Sequence, residues 1–557
     1  MTNYEIADQF SLLSKLMDIH GENSFKSKSY SVAAFNIEKL PSEAATMDDA
    51  TLFSMKGIGD STGKKIRELL TTGSLQALVE IISKTPAGIL DMLQIKGLGP
   101  KKIAVIWNEL NIESLGELEY ACNENRLVAL KGFGAKTQES VLQNIAYFKQ
   151  NIGFYLWAEA EAFGNAIIGQ LRQQFPAHRF ELTGDVRRQC ETLEVVEIVT
   201  DLDHSELVRQ FDTVSGSTTE RVDGQLLVTL SGQPTLRFHH AAGGDFYRTL
   251  FLTTGNADFI SAFQEKWSLP VSPGSEEDIF TVNELPYVPP AMRESASVLT
   301  KPASYFKNII QPSSIRGIIH SHSKWSDGVN TLEEMAVAAR DAGLEYLVIS
   351  DHSQTAVYAG GLKPESVAAQ HHEIDLLNDR LAPFKIFKSI ESDILGDGSL
   401  DYSPQVLATF DLVIASVHSN LKMSQEKAME RVLNAVRNPF TTILGHPTGR
   451  LLLSRKGYPL DHKLVIDTCA AHNVVIEINA HPRRLDMDWR WIEYALEKGV
   501  LLSVDPDAHS IAGYRDTYYG VMVAQKGGLT AASNLSSFSL PALEAFLEQK
   551  RQLRNTR

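Results

Sequence analysis

From Ile315 onward, short apolar runs alternate with stretches of helical period. The runs GIIH, EYLVISDH, FDLVIASVH, TTILGH, VVIEIN and GVLLSVD read as strands, and segments such as Thr331 to Ala342 between them read as helices. That alternation predicts a parallel-stranded α/β barrel over residues 315–557, with its chemistry at the C-terminal ends of the strands. The pattern upstream is different. Residues 1–150 read as helices separated by glycine-containing turns, and residues 151–294 mix helices with β-rich runs such as Thr192 to Thr200 and Gln225 to Leu230. Pro286, Pro289 and Pro290 then break the chain, and residues 295–314, rich in Ser, Pro and Lys, predict a linker. A chain of 557 residues is too long for one core, so the expectation is a multi-domain protein of α+β and α/β units.

Three turns in the helical region repeat one design. Leu52 to Ile66 reads LFSMKGIGDSTGKKI, Leu93 to Ile103 reads LQIKGLGPKKI, and Leu127 to Ser140 reads LVALKGFGAKTQES. Each joins an apolar helix end to Lys-Gly-apolar-Gly and then to the polar or basic start of another helix. Glycine permits positive φ and close backbone approach, and the following helix begins with free N–H groups that can grip a phosphate. One copy would read equally well as a glycine-terminated helix and a tight turn. Three copies favour the helix-hairpin-helix motif for DNA backbones, with Gly57, Gly59, Gly97, Gly99, Gly132 and Gly134 as its turn glycines.

The formal charge of -15 argues against a surface that coats nucleic acid generally, so DNA binding would rest on such local devices. Cys122, Cys190 and Cys469 lie far apart, with no zinc-ribbon spacing, which points to free thiols in a reducing compartment. Polar and acidic residues follow Met1, giving no secretory signal pattern, and no apolar run approaches the ~20 residues a membrane span needs. The expected setting is the cytoplasm, without a membrane.

Nearly every strand-like run of the C-terminal half ends on a ligand-type side chain. The first delivers His320 and His322, two apart and therefore on one face, with Asp327 in the turn that follows. His352 ends the second, Glu391 opens ESDILGDGSLD, His418 closes VIASVH, His446 closes ILGH, and Asp507 and His509 follow LLSVDP. A lone histidine at a strand end is usually a satisfied structural group. Six histidines and three carboxylates at equivalent ends point instead to a shared site for zinc, manganese or iron. Two or three adjacent ions activate water, hold a phosphate and steady a departing oxygen, and close ions need a bridging carboxylate, for which Glu391 is the candidate. His371, His372, His462, His472 and His481 do not fit this pattern and read as structural.

The order of these motifs resembles the PHP phosphoesterase family over about residues 315 to 535. The resemblance implies a distorted barrel with a three-metal centre that hydrolyses phosphoesters, and all nine ligand positions hold ligand-type residues here. It implies His320, His322, Glu391 and Asp507 as catalytic residues as well as ligands, and Arg450, in GHPTGR, as a contact to substrate phosphate.

Glu5 to Ala34 resembles the opening helical domain of bacterial family X DNA polymerases. TGDVRRQCET, TTGNADF and EEDIFTVNELPYVPPAMRE are similar to that family's palm and thumb. The whole chain thus resembles the bacterial PolX-type architecture, a family X polymerase fused to a PHP domain. Polymerase chemistry needs three carboxylates for two magnesium ions. Arg187, Arg188 and Glu191 match the family pattern, but Asp185 stands where serine is expected. Val195, Glu197 and Thr235 occupy the three aspartate positions, so one carboxylate of three remains. Asp201 and Asp203 fall beyond the strand and out of register.

These readings predict a metal-dependent 3′-5′ exonuclease that acts in DNA repair as a monomer, on gapped, nicked or free 3′ ends through backbone contacts, with templated synthesis lost, and the resemblance implies a bacterial cytoplasm and association with the nucleoid. The runner-up is an active, magnesium-dependent gap-filling polymerase with PHP proofreading. A metal-stabilised DNA-binding scaffold and a small-molecule phosphatase are further alternatives.

Overall fold

The computed structural model describes residues 1–40, 42–124 and 126–555. Contacts divide the chain into two compact units between Ile152 and Gly153.

The first unit is helical. Its opening helix, Asn3–Ile19, starts because the Thr2 hydroxyl accepts the Glu5 N–H while the Glu5 carboxylate accepts the Thr2 N–H. Ile6, Phe10, Leu13 and Met17 of this helix join Ile37, Ile66, Ile103 and Ile106 in one buried core. The three expected turns share one geometry. Gly57, Gly97 and Gly132 have φ of 80°, 89° and 88°, a region that favours glycine. Gly59, Gly99 and Gly134 cap the helices Asp60–Thr72, Pro100–Leu110 and Ala135–Asn151. Between each pair, Ile58, Leu98 or Phe133 plugs the core. Its N–H donates to the carbonyl three residues back, at 3.0, 3.0 and 3.1 Å. The third hairpin differs only in opening on a short 3-10 turn, Leu127–Ala129.

The second unit holds a five-stranded sheet, a seven-stranded sheet and a short antiparallel pair, Tyr155–Leu156 with Thr192–Leu193. The strands Phe180–Thr183, Val195–Thr200, Thr235–His240, Gln225–Leu230 and Ser217–Val222 pair in that spatial order. Val195–Thr200 and Thr235–His240 run parallel, with Val195 opposite Thr235 and Glu197 opposite Arg237. Val196, Ile198, Leu236 and Phe238 turn to the core, so Val195, Glu197, Thr235 and Arg237 share the other face.

The other sheet has seven parallel strands in sequence order: Gly317–Ser321, Tyr346–Ile349, Lys385–Asp393, Leu412–Ser416, Ile443–Leu444, Val475–Asn479 and Leu502–Asp505. Every strand is buried along its length except at Lys385 and Lys388, as expected for a parallel sheet covered on both faces. The chain just past the last strand meets the first. The His322 N–H donates to the Ala508 carbonyl at 2.8 Å and the Ala508 N–H to the His320 carbonyl at 3.2 Å, nearly closing a barrel. Leu543 and Leu547 of the final helix, Leu540–Asn555, pack against Leu412, Ile443 and Val475 near the strand starts. The mouth at the strand C-termini is left for polar side chains.

Residues 295–314, expected to be a linker, are packed. Val298 and Leu299 bury beside Phe251 and Phe259, and Ile310 joins the barrel core with its N–H on the Leu529 carbonyl. Four apolar residues hidden in a Ser-, Pro- and Lys-rich run, Ile309 among them, are what the composition obscures.

Candidate metal centre

The nine expected ligands converge at the barrel mouth. Glu391, buried at 1% exposure, lies at the middle. Its Oε1 is 2.9 Å from His446 Nε2, 3.0 Å from His418 Nε2 and 3.3 Å from His320 Nε2. Its Oε2 is 2.9 Å from His352 Nδ1 and 3.7 Å from His322 Nε2. Asp507 Oδ1 approaches His322 Nε2 at 3.1 Å and His320 Nε2 at 3.5 Å. Asp327 Oδ1 stands 3.5 Å from His509 Nε2 and 3.7 Å from His352 Nε2. Three overlapping groups each bring their ligand atoms within 4.8 Å of one another: His322, Asp327, His352 and His509; His320, His322 and Glu391; and His352, Glu391 and His418.

The donor chemistry fits divalent cations. His320 Nε2, His322 Nδ1, His352 Nδ1, His446 Nδ1 and Glu391 Oε2 are buried without hydrogen-bond partners. Orphaned lone pairs on this scale are expensive inside a protein unless a cation answers them.

Outer partners orient the ligands. His320 Nδ1 bonds Glu477, whose other oxygen accepts the His446 N–H at 2.5 Å. His418 Nδ1 bonds Asp393, which also accepts the Thr355 hydroxyl at 2.6 Å. His509 Nδ1 lies 2.9 Å from the Asp507 carbonyl, an arrangement that leaves Nε2 free. Asp351 accepts from Ser323, Ser326 and Gln370, and so pins the loop that carries Asp327. His320 and Asp507 hold φ of 60° and 52°, a left-handed strain concentrated at the site.

Burial opposes charge throughout the cluster, and neighbours decide the outcome. Burial pushes His322 down to about 3, helped by the adjacent His509 and His352. In His418, Glu391 and Asp393 overcome burial and raise the imidazole to about 10. In His509, Asp327 and Asp507 overcome it and raise the ring to about 9. Glu391 is held well below the carboxylate range against burial, chiefly by His418 and His320. Cation binding by such a set competes with imidazole protons and is therefore proton-linked.

Glu477, Asp393 and Arg484 are missing from the sequence expectation. Glu477 is the one charge within VVIEIN, and Asp393 follows Glu391 at the two-residue spacing that shares a strand face. Arg484 Nε stands 3.6 Å from Asp507 Oδ2. Arg450, expected to contact substrate phosphate, is committed elsewhere. Its guanidinium donates to the Arg484 and Leu485 carbonyls, meets Asp488 at 3.0 Å and reaches Glu191 of the palm at 3.2 Å. Every arm of this guanidinium is used within the protein.

In the palm, Glu197 accepts from His239 Nε2 at 2.7 Å and faces Arg237 at 3.6 Å, flanked by Val195 and Thr235. Arg187 bonds Thr254 and Glu276, while Arg188 bonds the Thr254 carbonyl, Asp185 and Glu294. Asp201 pairs with Arg179 at 2.8 Å, and Asp203 caps a helix. Among the described residues, every cluster of three or more His, Cys, Asp or Glu ligand atoms lying within 4.8 Å of one another is in the barrel.

The helix-hairpin-helix domain family matches residues 1–75, and a SAM-like helix-hairpin-helix tandem matches residues 89–145. Over 558 residues the chain is 32% identical to a protein named DNA polymerase/3′-5′ exonuclease PolX from Bacillus subtilis (strain 168), covering 96% of this chain and 97% of that one. The chain belongs to the PolX family. Parts of this PolX-family chain are also similar to proteins named probable phosphatase. One, from Thermoanaerobacter sp. (strain X514), is 25% identical over 249 residues, 42% of this chain and 95% of the relative. Another, from Vibrio atlanticus (strain LGP32), is 29% identical over 206 residues, 34% of this chain and 76% of the relative. Among the described residues no helix is long and apolar enough to cross a membrane.

Proposed function

We propose that this PolX-family chain is a metal-dependent 3′-5′ exonuclease that serves DNA repair in the bacterial cytoplasm, and that its palm no longer synthesises DNA. One contrast carries the reading. Glu391 is surrounded by five imidazoles, whereas the single carboxylate left among the palm positions is taken by His239 and Arg237.

His320, His322, Asp327, His352, Glu391, His418, His446, Asp507 and His509 would hold two or three ions of manganese, zinc or iron. When bound, such ions activate water and neutralise charge at phosphorus and at the departing oxygen. The hydrolysis adds a water oxygen to phosphorus, breaks the P–O3′ bond and returns a proton to the 3′ oxygen. Glu391, central and flanked by imidazoles on both oxygens, would be the ligand that neighbouring ions share. Arg484, whose Nε stands 3.6 Å from Asp507 Oδ2, would meet the substrate phosphate in the role first expected of Arg450. The helix-hairpin-helix turns hold backbone phosphates without reading bases, which suits gapped, nicked and free 3′ ends alike.

The test pairs two assays on the full chain. Release of nucleotides from a 3′-labelled oligonucleotide is expected to stop on chelation and in His320→Ala, with DNA binding retained. Activity that survives both would sink the nuclease reading. Primer extension with magnesium or manganese is expected to give no product, and templated incorporation lost in Glu197→Ala would restore the polymerase.

A further inference from the structure

Beside the centre, the chain leaves His352, turns at residues 353–361 and returns at Leu362, whose N–H donates to the His352 carbonyl at 2.8 Å. The turn is rigid. The Thr355 N–H donates to Asp401 at 2.7 Å, the Gly361 N–H to the Ala356 carbonyl at 3.0 Å, and Ala356 and Ala359 are buried. A Cβ at Gly361 would come within 1.9 Å of the Ser353 carbonyl oxygen, so the turn is closed as tightly as glycine allows. At its tip, Val357 and Tyr358 are 81% and 74% exposed. A lone exposed apolar residue is ordinary. Two adjacent ones, displayed on a pinned turn at the mouth of a polar centre, are not. The Tyr358 ring lies 6.2 Å from that of His352, and its hydroxyl lies in the field of Glu391, Asp393, Asp327 and Arg484.

We infer that Tyr358, with Val357 as an apolar lip, is a stacking platform for the 3′-terminal nucleobase of the DNA strand being hydrolysed. The inference rests on the exonuclease reading and adds a specificity-determining residue to it. A ring face tolerates every base, as a sequence-independent nuclease requires, and a platform fixed before binding loses little entropy on contact. Tyr358 is a positioning residue that selects a nucleotide end over a bare phosphoester.

The experiment compares wild type, Tyr358→Ala and Tyr358→Phe on a single-stranded oligonucleotide and on the same strand ending in a stable abasic residue. Tyr358→Ala is expected to raise KM about 5- to 100-fold on the ordinary end with kcat little changed. It should match wild type on the abasic end, and Tyr358→Phe should restore the low KM. A 3′-terminal 2-aminopurine is expected to be quenched on binding wild type and not on binding Tyr358→Ala, a readout that needs no turnover. An unchanged KM and quench in Tyr358→Ala, or an equal rise on both ends, would overturn the platform. Should wild type cleave neither strand, the exonuclease reading fails, while the quench still decides for or against stacking.

Discussion

His320 turns its Nδ1 onto Glu477 and its Nε2 toward Glu391, 3.3 Å away, so one imidazole joins two carboxylates across the barrel mouth. Glu477 fixes which nitrogen faces the centre, and its other oxygen also holds the His446 backbone. Replacing it as Glu477→Gln keeps the volume and removes the charge. Metal affinity is expected to fall about 10- to 100-fold, read by titrating the metal-free protein with manganese or zinc.

Arg450 and Arg484 are expected to separate stability from turnover. Arg450 is largely buried between Glu191 and Asp488, so Arg450→Ala leaves both carboxylates with the more exposed Arg490 alone and should cost about 3 kcal/mol in urea unfolding. Arg484→Ala should leave unfolding little changed and raise KM for DNA about 10-fold or more, because a charge-assisted phosphate contact is lost. The reverse pattern would return Arg450 to the substrate.

Glu276 governs an acid limb of stability. Burial pushes its carboxyl up, but Arg293 and then Arg187 outweigh burial and hold it below the ordinary value. A depressed carboxyl stabilises the fold above its unfolded pKa, about 4.5. That contribution is lost as pH falls through the depressed value. Glu276→Gln is expected to flatten the acid limb of an unfolding-versus-pH curve. It should also cost about 3 to 5 kcal/mol at neutral pH, because the fully buried Arg293 loses its partner.

Gly97 tests the hairpin grip. Its φ is 89° and a Cβ there would meet no atom within 4 Å, so Gly97→Ala strains the backbone without a clash. DNA affinity is expected to drop several-fold with a shallower salt dependence, measured by fluorescence anisotropy across salt concentrations. Affinity for unrelated sequences should fall equally.

The barrel and its nine converging residues are legible in the sequence because most of the nine lie at or just past the end of an apolar run, and strand ends meet at one mouth of a parallel barrel. Glu477 escapes that logic: it lies inside its run, and only the fold shows that it faces His320. Arg450 is a loop guanidinium close to a ligand, a position compatible with substrate or with packing, and its partner Glu191 is 259 residues away. Residues 295–314 look like a linker because polar composition outweighs Val298, Leu299, Ile309 and Ile310 in any local window. The palm's substitutions can be counted residue by residue, but that His239 and Arg237 neutralise Glu197 emerges only from strand register.

Lys526, from the barrel, buries its ammonium against the Arg188 carbonyl and Glu294, and Trp157 of the palm stacks on Tyr518 at 6.0 Å. Leu485 and Val523 complete the same apolar seam. The five-stranded sheet and its helices therefore form a wall of the barrel. Cut away from it, the barrel would present a greasy flank and a stranded lysine to water, so a fragment limited to the barrel should aggregate where the full chain does not.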